Sequence, residues 1–335
     1  MAPVQISKPI TKPINAPLKK VISFYTRFTA SYSAIGYYAR RAFLPWPPLK
    51  GQFGGQTWLV TGGSEGIGGA AARAALEGGA TVICVARDPG KLEAFAASVQ
   101  GPGKCVLEPV DMSLQKDVMA LVDRLQARGT RVDVVVNNVG VQKRDQFLTD
   151  EGVELSFATN ILGHYTLLRE LLARDLLAAQ GTVIEVSSGG MYNYAMVPKD
   201  LNINTVDSGY VGSRAYGLAK RAQVMLMGYW RQKYAGSGRS FYSMHPGWVD
   251  TASVGRSMPR FRNTLKSVLR THAQGADTIV WLAETRPPQK GAEAMWFDRK
   301  ERPVHIYAHT PLSTATGADV VAELERALAA ALPAA

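Results

Sequence analysis

From residue 51 onward, short apolar runs alternate with longer segments of helical spacing, and that alternation admits few folds. The runs at 57–60, 81–86, 104–108, 132–136, 182–186, 239–244 and 294–297 read as strands. Between them, 67–77, 113–127, 152–177, 216–234 and 273–284 carry helical spacing, with a further Ala/Leu-rich helix over 317–332. Several strand runs are apolar throughout, as expected where helices cover both faces of a sheet. Strands regularly separated by helices predict a doubly wound, parallel α/β sheet of about seven strands. No internal repeat or flexible linker divides residues 51–335, which read as one domain behind an arm over 1–50.

The first strand runs directly into Thr61-Gly62-Gly63-Ser64-Glu65-Gly66-Ile67-Gly68 and then an Ala-rich helix. Glycines at a strand-to-helix turn let backbone N–H groups approach a pyrophosphate, and the helix N-terminus adds a favourable dipole. Gly62, Ser64, Gly66, Ile67 and Gly68 are therefore candidate dinucleotide-binding residues in a Rossmann-like fold. The second strand ends Ala86-Arg87-Asp88. An acid at the strand end would accept from the ribose 2′-hydroxyl of NAD, whereas small Ala86 followed by cationic Arg87 favours the 2′-phosphate of NADP over NAD.

The 335 residues carry a formal charge of +11, but unevenly. Residues 1–50 hold eight basic residues and no acid, leaving 30 basic against 27 acidic residues in the rest. A body so nearly balanced argues against a nucleic-acid partner. Cys84 and Cys105 lie in separate apolar runs, and the five histidines form no zinc spacing, so no metal site is expected. No stretch approaches the ~20 apolar residues of a membrane span, and prolines at 3, 9, 13 and 17 break up any secretory signal.

Further motifs follow in order: Asp111, Asn137-Asn138-Val139-Gly140, Asn160, Ser187-Ser188, Tyr216-Gly217-Leu218-Ala219-Lys220 and Pro246-Gly247. With the glycine loop they resemble the short-chain dehydrogenase/reductase superfamily, over about residues 55–297. Ser187-Ser188-Gly189-Gly190-Met191, Met244-His245-Pro246-Gly247 and Phe297-Asp298-Arg299-Lys300 are similar to a branch that also carries an N-terminal arm, SDR family member 12. The resemblance implies a catalytic set of Asn160, Ser188, Tyr216 and Lys220. Tyr216 would be general acid/base, with Lys220 stabilising its phenolate and holding the nicotinamide ribose. Ser188 would bind the reacting oxygen, and Asn160 a water that relays the proton. Asp111 would contact adenine, Asn138 and Gly140 the adenosine ribose, and Val249 and Thr251 the carboxamide and pyrophosphate. The resemblance also implies a homo-oligomer.

The interval from Ser188 to Tyr216 is long and holds Met191, Tyr192, Tyr194, Met196, Val197 and Tyr210, which either line an apolar pocket or pack the inserted loop. A substrate lid is expected near 251–271, where Arg256, Arg260, Arg262, Lys266 and Arg270 occur without an acid. In the arm, apolar residues near 3.5-residue spacing over 21–43 predict an amphipathic helix, closed by prolines at 45, 47 and 48. Three readings of it stand: a membrane-surface anchor through residues 21–44, which is preferred, an arm packed on the domain or a partner subunit, and a transit peptide for organellar import. The expected protein is an NADP-preferring oxidoreductase acting on a lipophilic carbonyl or alcohol at the cytoplasmic side of a membrane. The alternative is a nucleotide-binding regulatory or scaffold protein without turnover.

Overall fold

The computed structural model describes residues 4–5, 28–202 and 209–332. Residues 21–27 of the helix expected over 21–43, and residues 203–208 of the interval before Tyr216, lie outside the described residues. Eight strands form the main sheet: β1 (Thr57–Thr61), β2 (Thr81–Ala86), β3 (Lys104–Pro109), β4 (Val132–Asn137), β5 (Leu177–Val186), β6 (Ser240–Met244), β7 (Met295–Phe297) and β8 (Lys300–Arg302). Their order is β8-β7-β6-β5-β4-β1-β2-β3, parallel except for the β7–β8 pair. Chain order reverses between β1 and β4, which opens a crevice beyond their C-terminal ends.

Among the described residues the ten longer helices are α1 (Ala34–Phe43), α2 (Gly66–Glu77), α3 (Pro89–Ser98), α4 (Gln115–Ala127), α5 (Gly163–Ala173), α6 (Gly212–Lys233), α7 (Ala252–Ser257), α8 (Pro259–Leu265), α9 (His272–Thr285) and α10 (Gly317–Ala331). Alternate strand residues feed two cores, as a period of two requires. Leu59, Ile83 and Val135 pack with Leu121 of α4, Leu168 of α5 and Leu226 of α6. Trp58, Val82 and Val134 face the other way, against Ala72 of α2 and Ile279 of α9.

The structure departs from the sequence reading in three places. The segment expected as one helix over 152–177 is a short turn at Leu155–Phe157, a π-helical turn at Ala158–Leu162 and then α5, closed where Asp175 takes φ +51. The rest of it, from Leu177, is the start of β5. Helix α3 was not expected; Asp88 caps it, accepting from Lys91 N at 3.1 Å, with Pro89 in its first turn. Strand β8 was also not expected.

Residues 28–32 are helical, the helix breaks at Ser33, and α1 follows. This part of the arm packs on the domain. Phe28 and Tyr32 stack at 4.6 Å and join Phe297 in a small core. Tyr37 is buried as well. Burying each of these rings contributes on the order of 1.5–3 kcal/mol. Arg40 reaches Asp298 at 2.5 Å, beside the Arg270–Asp298 pair at 2.6 Å. The outward side of α1 leaves Ile35, Tyr38 and Phe43 exposed, Phe43 by 86%.

Candidate active site

A cleft of about 710 Å³ runs along the C-terminal edge of the sheet, within the ~300–1,000 Å³ of small-molecule sites. At one end, Gly62, Ser64, Gly66 and Ile67 line it. Gly66 holds φ +63, a left-handed conformation that a side chain would strain. Gly68 lies behind them, where a Cβ would run into Gly62 O and Asn138 Nδ2. The Glu65 side chain at the start of α2 makes no capping hydrogen bond to the helix, so it leaves the first amides of the helix open to another acceptor. This cradle fits the pyrophosphate of a dinucleotide.

Arg87 lines the cleft after β2, with NH1 at 3.7 Å from Asp111 Oδ2. Asp88 is engaged as the cap of α3, so one of its oxygens is already taken. The same helix brings Lys91 to the cleft, where it pairs with Glu65 at 2.9 Å. Sequence reasoning missed this second cation because it missed α3. Asp111 lines the cleft, and its Oδ1 accepts from Ser113 N and Oγ at 2.9 and 2.7 Å. Asn138 Nδ2 donates to Thr61 O at 2.9 Å, which ties the β4 loop to β1. Val139, Gly140, Val249 and Thr251 also line the cleft, and Thr251 caps α7, accepting from Val254 N at 3.2 Å.

At the other end Ser188, Tyr216 and Lys220 converge. Ser188 follows β5 and caps a 3₁₀ turn, its Oγ accepting from Gly190 N at 3.2 Å. Tyr216 and Lys220 are one turn apart on α6, Nζ lying 5.6 Å from the phenol centroid and donating to Val186 O at 2.8 Å. Burial pushes the Lys220 ammonium down to about 8, against the opposing pull of Glu185. Tyr216 was expected to be drawn downward by Lys220. Instead burial raises its pKa, with the Ser188 hydroxyl pulling the other way. A buried phenol favours its neutral form.

Asn160 does not line the cleft. It is fully buried in the π-helical turn, its amide accepting from Val141 N at 2.7 Å and donating to Val141 O at 2.8 Å. Its own carbonyl accepts from Gln223 Nε2 at 2.6 Å. Its observed part is to brace the Gly140–Val141 wall, near the point that a Gly140 Cβ would share with Lys220 Nζ at 3.5 Å.

Of the interval aromatics and methionines, Tyr194 reaches the cleft while Met191, Tyr192, Met196 and Tyr210 are buried in packing. Tyr192 donates to Pro303 O at 2.8 Å and Tyr210 to Glu154 at 3.1 Å. The apolar wall comes instead from Trp248, Met258 and Phe261, and from Tyr32 of the arm. In the expected lid, α7 and α8 border the cleft, but two of its five cations are engaged elsewhere: Arg262 on Asp250 at 2.5 Å and Arg270 on Asp298.

The short chain dehydrogenase family model matches residues 56–198. Dehydrogenase/reductase SDR family member 12 of Bos taurus is 35% identical over 92% of this chain and 97% of its own length. Retinol dehydrogenase 14 of Homo sapiens is 28% identical over 74% of this chain and 79% of its own. The structure of L-sorbose reductase from Gluconobacter frateurii, complexed with NADPH and L-sorbose, aligns with TM-score 0.57 at 18% identity, covering 71% of this chain and 93% of that one. A likeness that runs almost the whole length of its relatives, over a fold and cleft of this kind, means that the chain belongs to the short-chain dehydrogenase/reductase family of NAD(P)-dependent oxidoreductases, on the SDR family member 12 branch.

Proposed function

We propose that the protein is an NADP-preferring oxidoreductase that interconverts a carbonyl and a hydroxyl on a lipophilic substrate at a membrane surface. The observation that carries this reading is the convergence of Ser188, Tyr216 and Lys220 beside an aromatic wall at one end of a dinucleotide-sized cleft. The bound cofactor would supply hydride exchange at the nicotinamide. Ser188 Oγ orients the reacting oxygen, and Tyr216, kept neutral by burial, donates the proton that a carbonyl oxygen gains on reduction. Lys220 places a cation beside that phenol and within reach of a ribose hydroxyl. Arg87 and Lys91 together supply two cations for a 2′-phosphate.

Support for a lipophilic substrate comes from Tyr32, Tyr194, Trp248, Met258 and Phe261 in the cleft and from likeness to a retinol dehydrogenase. Support for a membrane surface comes from exposed Ile35, Tyr38 and Phe43 on α1 and exposed Arg256, Arg260 and Lys266 beside the cleft. Among the described residues no helix is long and apolar enough to cross a membrane. Cys84 and Cys105 remain free thiols with sulfurs 3.7 Å apart, which suits a reducing compartment.

The test is NADPH oxidation with retinal and decanal. Tyr216→Phe should lower kcat by about 10²–10⁴ while NADPH still binds. Undiminished turnover in that variant refutes the assignment.

A further inference from the structure

The arm reaches the reacting end of the cleft. Tyr32 is 6% exposed, lines the cleft, and lies with its ring edge-on to His245 at 4.4 Å and to Trp248 at 5.8 Å. A Cβ built on Gly189 would meet Tyr32 Cε2 at 2.8 Å and His245 Nε2 at 3.3 Å. Gly189 follows Ser188, so both rings stand one residue from the hydroxyl that orients the reacting oxygen. The backbone around Tyr32 is held: Trp248 N donates to Tyr32 O at 2.8 Å, and Arg270 donates to the carbonyls of Ser31 and Ser33 at 3.3 Å each.

His245 provides an independent observation. It is 4% exposed and lines the cleft, yet among the described residues neither ring nitrogen has a hydrogen-bond partner. Phe297 stacks on it at 5.1 Å, which fixes the ring plane. Burial and the nearby Arg270 push its pKa down to about 3, so the imidazole is neutral and offers one donor and one acceptor. Buried polar atoms left unmet are costly unless a ligand or water meets them. Proton transfer already belongs to Tyr216, so the chemistry does not use them.

We infer that Tyr32 and His245 form a substrate-recognition subsite built jointly by the N-terminal arm and the loop after β6. Tyr32 packs its ring against a flat conjugated body, and His245 hydrogen-bonds a second oxygen of the substrate beside the carbonyl that reacts. The substrate class is a conjugated carbonyl compound with a neighbouring carbonyl or hydroxyl. This rests on the oxidoreductase reading and narrows it.

The probes are 9,10-phenanthrenequinone, flat with two adjacent carbonyls, and decanal, flexible with one. The wild type should favour the quinone in kcat/KM. Tyr32→Ala and His245→Phe should each lower the quinone-to-decanal ratio about tenfold, chiefly through KM. Tyr32→Phe, which keeps the ring, should keep the ratio, and His245→Gln should restore part of it. NADPH titration verifies that each variant is folded. Ratios unchanged in Tyr32→Ala and His245→Phe overturn the subsite. If neither carbonyl is reduced, quinone binding to the NADP⁺ complex is read by fluorescence quenching. Equal Kd values in wild type and variants again overturn the subsite, whereas weaker binding in both variants upholds it and overturns the oxidoreductase reading.

Discussion

Replacing Asp298 by asparagine tests how the arm is held against the catalytic domain. Asp298 is 3% exposed, sits at φ +50, and takes Arg270 at 2.6 and 2.8 Å and Arg40 at 2.5 Å. Asparagine keeps the shape and tolerates the left-handed backbone, so the substitution removes charge without adding strain. It leaves Arg270, 1% exposed, as a buried cation without its counter-ion. Removing one partner of a buried pair costs about 3–5 kcal/mol. Arg270 retains the carbonyls of Ser31, Ser33 and Pro246 at 3.3 Å, and the faces of Phe297 at 4.8 Å and Tyr37 at 5.4 Å. These contacts offset part of the loss, so the expected destabilisation is at the low end, about 3 kcal/mol. Arg40→Met should cost about 1.5 kcal/mol, because it removes the charged hydrogen bond to Asp298 and those to the Ser31 hydroxyl and carbonyl from a better solvated side chain. The double variant should fall short of the sum by about 1 kcal/mol, since both changes break the same pair. Urea unfolding followed by tryptophan fluorescence measures all three. A loss below about 1 kcal/mol for Asp298→Asn, or strict additivity, refutes the shared cluster.

Lys220 gives a pH dependence with a defined sign. Its folded value of about 8 lies below the ordinary 10.5, so NADPH affinity should fall as pH rises through about 8. In the same window the unfolded chain binds the extra proton, so stability relative to Lys220→Met should rise between about pH 8 and 10.5, and a flat difference would contradict the burial argument. Arg87→Ala combined with Lys91→Ala should lower NADPH affinity at least tenfold and leave NADH nearly unchanged in fluorescence titrations; equal starting affinities would refute an NADP preference. Ile35→Glu with Phe43→Glu should abolish flotation with anionic liposomes if the exposed face of α1 seats on lipid, and unchanged flotation would reject that face.

Most strands and helices were legible because an interior strand has to be apolar and a covering helix amphipathic. The residues of the nucleotide cradle were legible for a similar reason: close backbone approach at Gly68 admits no Cβ. What escaped notice had weaker or longer-range causes. Helix α3 buries few side chains, and its signal was the Asp88-Pro89 cap rather than periodicity. Strand β8 follows a turn in which Asp298 and Arg299 both hold positive φ, without the glycine that marks such hairpins. Asn160 carries the family motif, but its sequence position could not tell that both ends of its amide are occupied by Val141. The apolar stripe of the arm was visible at Tyr32 and Phe28. That it covers Phe297 rather than lipid depends on contacts more than 250 residues away along the chain.

That separation affects how the protein comes to be made. Residues 31–40 find their partners at 245–298, which are made much later. The arm leaves the ribosome before those partners and can dock only after they follow, so the glycine cradle can form on the nascent chain before the substrate end is walled. A version trimmed to the family boundary at residue 56 would retain the sheet and the nucleotide loop yet lack Tyr32. In the proposed subsite, that truncation removes the aromatic face beside the reacting oxygen without any change to Ser188, Tyr216 or Lys220.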